Sequence, residues 1–152
     1  MLKVKVGYPK PEDEKKVVAN ALDKSSLVVR PVATPSDLMA MRAAAELIYL
    51  DEQVRNYCLA LVQATRDPSH HGLKELAPLI TWGASPRASI ALALGARALA
   101  FLDGAGFVTP QHVKDIAPDI LRHRVILSYE AEAEGIDAAT VVAKLLAAVP
   151  VP

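Results

Sequence analysis

Arg87 stands third in the run SPRASIALALGARALAFL, after Ser85 and Pro86, where a hydroxyl residue followed by proline marks the first turn of a helix. The free N–H groups of a first turn make that end positive, so a cation there is locally unfavourable. Two readings account for it. In one, Arg87 swings to solvent or pairs with an acid. In the other, the helix N-terminus at Ser85 and Pro86 attracts an anion and Arg87 adds a full charge beside it. Gly83 and Ala84 would leave the approach uncrowded, so the candidate anion site runs Gly83, Ala84, Ser85, Pro86, Arg87.

Other residues with chemical potential offer less. His70 and His71 are adjacent, so their side chains tend to diverge, and no cysteine or third histidine sits at ligand spacing. No metal site is expected. His112 and His123 suit surface or capping roles. Lys24-Ser25 resembles the end of a phosphate loop without the glycines that should precede it. Glu130, Glu132 and Glu134 read as a solvated acidic face. Cys58 shares a helical face with Val54, Leu61 and Val62, which predicts an inert core thiol. A nucleophile elbow, a carboxylate pair in an apolar setting and a glycine-rich dinucleotide turn are all absent. An autonomous active site is therefore not expected.

The elements that position Arg87 follow from composition and pattern. The 152 residues balance 17 Lys+Arg against 17 Asp+Glu, so no basic field argues for nucleic acid. A hydrophobic fraction of 52% with only 5% aromatics favours helices packed on helices. No apolar run is long enough for a membrane span, because Arg97 and Asp103 interrupt the longest. The opening MLKVKVGYPK lacks the apolar stretch of a secretory leader, and a lone cysteine excludes an internal disulfide; a reduced, cytoplasmic setting is expected.

Helix signals predict segments at about 35–49, 51–66, 86–102, 110–122 and 137–148, preceded by a short helix in PEDEKKVVANAL. Hydroxyl-proline starts recur at Thr34, Ser85 and Thr109, and Asp51 and Asp137 are expected caps. The 86–102 helix is apolar nearly all round, with Ser89 and Arg97 its only polar side chains after Arg87, and should lie at the centre of the bundle. Gly95 within it predicts a neighbour packed close to the backbone. LKVKV alternates as a half-buried strand, LKEL could form one turn of helix, and RVILSY reads as extended, pairing with LVVRPV.

GASPRASIALALGARALAFLDG, then FVTPQHVKDIAPDILRHRVILSYEAEAEGI and LLAAVPVP, resemble the C-terminal lid of MoxR-family AAA+ ATPases, and KVGYPKPEDE resembles the end of that family's nucleotide-binding core. The resemblance implies a mainly all-α fold: a lid bundle of about five helices over 31–152, with a strand, helix and hinge left from an α/β core over 1–30. It implies that Arg87 matches the sensor-2 arginine, reaching the γ-phosphate of ATP, with Gly83 to Pro86 beside the nucleotide. ATP and Mg²⁺ would belong to the full-length protein and not bind tightly to this stretch alone. Implied partners are the chain's own core, neighbouring subunits of a hexameric ring, and a von Willebrand factor A domain protein. Arg122 and Arg124 of LRHR match the family pattern without an assignable role. Phosphate loop, Mg²⁺-binding acids, sensor 1 and arginine finger are absent, so hydrolysis by this stretch alone is not expected, and LKVKV is expected to mark a cut sheet. Trp82 departs from the family wording and could pack beneath the loop.

Two rivals compete with that reading. A stand-alone helical adaptor would bind a partner protein through exposed grooves and pair residues 2–7 within this chain. A helix-turn-helix DNA reader would use helix 110–122, where only Gln111 could read a base.

Overall fold

The computed structural model of the chain describes residues 1–23 and 29–152. Its helices begin where cap chemistry says they should. α1 spans Pro11–Leu22. α2, Pro35–Glu46, opens on a capping box: Asp37 N–H donates to Thr34 Oγ at 3.2 Å, and Thr34 N–H donates to the Asp37 carboxylate at 2.8 Å. Asp51 caps α3, Glu52–Arg66, and Asp137 caps α7, Ala138–Ala148. α4 is Pro86–Leu102 and α5 is Pro110–Leu121. In the box of α5, His112 replaces the usual Glu or Gln. Its Nδ1 accepts the Thr109 N–H at 3.0 Å, which assigns the ring proton to Nε2, 3.4 Å from the Asp103 carboxylate. His112 is thus a buried cap, as expected.

α4 is the hub, packed against α2, α3 and above all α5. Leu61, Leu92, Ile120, Leu121 and Leu145 are fully buried around it, each contributing about 1.5–3 kcal/mol by leaving water. A Cβ on Gly95 would lie 3.1 Å from Ile116 and 3.2 Å from Ile120, the close neighbour that its position predicts. The helix is not enclosed, however: Ile90, Leu94 and Leu102 are exposed. Cys58 is buried, and desolvation pushes its thiol up to about 11, so it is an inert core residue. α1 and α2 bury no residue.

Two sequence expectations are corrected. LKVKV forms no strand: Leu2, Val4 and Val6 are exposed, and the ladder is reduced to one bond, Lys3 N–H to the Asp119 carbonyl at 2.8 Å. An alternating pattern makes a strand only when an edge is offered to it. RVILSY pairs elsewhere: β2, Ile126–Leu127, runs antiparallel to β1, Ile80–Trp82, with Ile80 opposite Leu127 and Trp82 opposite Ile126. Lys24-Ser25 lies wholly outside the described residues; the predicted partner LVVRPV lies partly outside them, and its described part carries no strand. The acidic run is helical. α6, Tyr129–Ala133, is capped by Ser128 and buries Ala131, while Glu130, Glu132 and Glu134 stay exposed as expected.

Between α3 and β1 the chain makes two 3-10 turns, Ser69–His71 and Lys74–Leu79, the second longer than one turn of LKEL and carrying Leu76 and Leu79 into the core. Among the described residues no group of acids, histidines and cysteines could hold a metal ion, and no helix is long and apolar enough to cross a membrane.

Candidate functional site

The start of α4 is held by the C-terminal end of α3. The loop Gly83 to Ser85 lies so close to that end that a Cβ on Gly83 would meet the Thr65 carbonyl oxygen at 2.4 Å and Arg66 Cα at 2.8 Å. Ala84, fully buried, is tied at both backbone groups. Its N–H donates to Thr65 Oγ at 2.9 Å, and its carbonyl accepts from Arg66 Nε at 2.7 Å. The buried Thr65 hydroxyl in turn donates to the Val62 carbonyl at 2.6 Å. Gly83 and Ala84 therefore seat the loop on the bundle. The Ala84 N–H is already spent inside the fold.

Thr65 and Arg66 escape sequence reading because each lies about five helical turns' worth of chain before its partner, and neither forms a recognisable motif with it. Their weight is testable. Thr65→Val leaves the buried Ala84 N–H without an acceptor, and thermal unfolding of this chain should show a loss of roughly 1–3 kcal/mol; Thr65→Ser should restore most of it.

What remains available is the outer part of the site. Ser85, Pro86 and Arg87 are exposed. The Ser85 hydroxyl accepts no N–H from α4, unlike those of Thr34 and Thr109, although all three share the hydroxyl-proline start. The first turn contains no acid, and Arg87 forms no ion pair among the described residues. Pairing with an acid is thereby removed, which leaves Arg87 either turned to solvent or meeting an anion from outside. The helix end and the guanidinium form one positive surface on a rigid seat, able to receive an anion. Trp82, exposed in β1, does not pack beneath the loop.

Arg122 and Arg124 are engaged at the other end of α5. Arg122 pairs with Asp119 and donates from Nε to the Pro118 carbonyl at 2.9 Å. Arg124 donates to the Ile120 carbonyl at 2.6 Å and to the Met1 carbonyl at 3.0 Å. Arg124 thereby satisfies the Ile120 carbonyl at the helix end, whereas the Pro118 carbonyl already accepts the Arg122 backbone N–H at 3.2 Å. His123 beside them has its imidazole pKa lowered, by desolvation first and then by Arg124 and Lys3. His70 and His71 sit edge to face, 5.9 Å apart, and among the described residues no third ligand joins them.

An AAA lid domain model matches residues 74–145, which include β1, the Gly83–Arg87 loop, α4, α5 and most of α7. The chain is 32% identical to Chaperone MoxR1 of Mycobacterium tuberculosis, over all of its own length and 40% of that protein. It is 37% identical over 105 residues to Protein MoxR of Paracoccus denitrificans, covering 65% of this chain and 31% of that one. A crystal structure from Cytophaga hutchinsonii, of a protein assigned as an ATPase, superposes with a TM-score of 0.95 at 35% identity, over the whole chain and 46% of its own. The chain thus spans less than half the length of these relatives.

Proposed function

The chain belongs to the MoxR family of AAA proteins and carries their lid domain, and on this premise we propose that it sets Arg87 against the γ-phosphate of ATP bound to a nucleotide-binding core. One observation carries the reading: an exposed arginine without an acid partner, on a helix N-terminus whose loop is bonded to the bundle at both sides of Ala84. Such a seat lets a guanidinium meet phosphate oxygens in a fixed orientation, where charge-assisted hydrogen bonds are strongest.

In this account residues 1–30 belong with the core, residues of about 30–35 act as the hinge, and residues 31–152 move as the lid. The apolar residues that α1 and α2 leave in water, among them Val17, Val18, Leu38 and Met39, support a body packed against them. ATP with Mg²⁺ is held by the core, and the transferable phosphoryl group supplies the chemistry. Within this chain Arg87 orients that group and offsets its charge, while the buried Ala84 seat keeps it from drifting. Coupling of hydrolysis to remodelling of partner proteins, a ring of subunits, hexameric in the first instance, and a von Willebrand factor A domain partner complete the proposal.

The test compares nucleotides. In the full-length protein, calorimetric titration of Arg87→Ala should show ATP affinity lowered about tenfold or more, with ADP affinity little changed, since only ATP carries the γ-phosphate. Equal losses for both nucleotides would reject the γ-phosphate contact. Unaltered binding of both would favour an adaptor without nucleotide chemistry.

A further inference from the structure

Arg97 is the one charged side chain between Arg87 and Asp103, and the nucleotide end of α4 makes no use of it. It lies ten residues on, about 15 Å along the helix axis. Ala96 and Ala100 around it are fully buried, and its own Nε is buried with no hydrogen-bond partner. Buried donors of charged groups are normally satisfied. A guanidinium meets two oxygens side by side through a parallel pair of N–H groups, and Nε–H with its neighbouring Nη–H is one such pair. Among the described residues, the Nε–H half of that pair is buried without an acceptor.

The surroundings fit an acceptor from outside. Arg97 and Leu94 of α4 face Arg42, Ala45 and Glu46 of α2 across a cavity of about 260 Å³, with Met1 at its side. Glu46 forms no ion pair with either arginine among the described residues. Two guanidiniums and one carboxylate leave the cavity net positive, and the small Ala45 keeps it open. α2 packs against α4 with Ala44 and Ala45 only half-buried and none of its residues fully buried, so that contact is shallow.

We propose that this cavity is an anion site separate from Arg87, taking a compact oxyanion, either a carboxylate or a phosphate, that bridges Arg42 and Arg97 and so ties α2 to α4. Charge would then reinforce that shallow contact. Glu46 competes with the anion for the same guanidiniums and sets its affinity.

NMR of the arginine Nε–H and backbone amide groups of this chain tests the site, with glutarate and inorganic phosphate titrated separately at constant ionic strength. The Arg97 Nε–H signal should shift saturably, and the α2 amides should exchange more slowly with solvent when the site is filled. In Arg97→Lys, which keeps the charge but not the paired N–H groups, the same titration followed at Arg42 and α2 should weaken at least tenfold. Glu46→Gln should tighten it. Saturation by glutarate alone identifies an acidic side chain as the source, and saturation by phosphate alone identifies a phosphate. No saturation by either at about 100 mM, or an unchanged response in Arg97→Lys with a native amide spectrum, would overturn the proposal.

Discussion

If Arg87 has the proposed role, Arg87→Ala should lower ATP turnover of the full-length protein on the order of 10²-fold while leaving the lid folded and slightly more stable. The two halves of this expectation have separate causes. Arg87 is exposed and forms no ion pair among the described residues, so its removal breaks no charge pair within the bundle. It also takes a cation from a helix N-terminus, which should stabilise α4 by a few tenths of a kcal/mol. Loss of a preorganised donor aimed at developing charge costs about 10²–10³ in rate where it has been measured, and the loss here should be of that order. Steady-state turnover and thermal unfolding, measured on the same variant, check both. A residue that weakens the fold yet supports the reaction gives opposite signs in the two assays. Turnover within twofold of the parent would reject the role.

Gly83→Ala should be the most damaging single methyl in the chain. The added Cβ would sit 2.4 Å from a backbone oxygen, 2.6 Å from its carbonyl carbon and 2.8 Å from a Cα, all in the last turn of α3. Backbone atoms of a packed helix cannot turn aside as a side-chain tip can, so the loop must lift from α3. That movement would break the bonds of Ala84 to Thr65 and Arg66 as well. A destabilisation of about 3 kcal/mol is expected, or roughly 6–12 °C in the unfolding midpoint of a chain this size. Gly106→Ala is the control. Nothing lies within 4 Å of its added Cβ, and its φ is not positive, so its effect should stay within about 0.5 kcal/mol. An equal effect of the two substitutions would show that the close approach at Gly83 does not hold the loop.

The helices were legible because their starts are written in short-range chemistry. Asp51 and Asp137 cap the helices that follow them, Thr34 and Thr109 each close a capping box, and α4 begins at the proline after Ser85. The centrality of α4 was legible from its apolar circumference, although Ile90 and Leu94 on its open side were not, since a helix apolar all round gives no sign of which face lacks a cover. Strands were misread for the opposite reason. Leu2 to Val6 have the alternation of a strand, and Ile126–Leu127 found Ile80–Trp82 in place of the segment near residue 30, because pairing depends on what lies across the gap. The same limit governs the site. Arg87 announces itself by standing where a cation is unfavourable, whereas Thr65 and Arg66, which seat its loop, signal nothing until α3 and the loop are brought together. Gly83 reads in the sequence as an uncrowded approach for an anion, and nothing there signals its tight seat against the end of α3.

The contact between Arg87 and nucleotide is the central claim, and a structure of the full-length protein with Mg²⁺ and a non-hydrolysable ATP analogue tests it most directly. The account predicts an Arg87 guanidinium nitrogen about 2.7–2.9 Å from a γ-phosphate oxygen, with the Ala84 bonds to Thr65 and Arg66 intact beneath it. A guanidinium turned to solvent, with the γ-phosphate held by other residues, would contradict it.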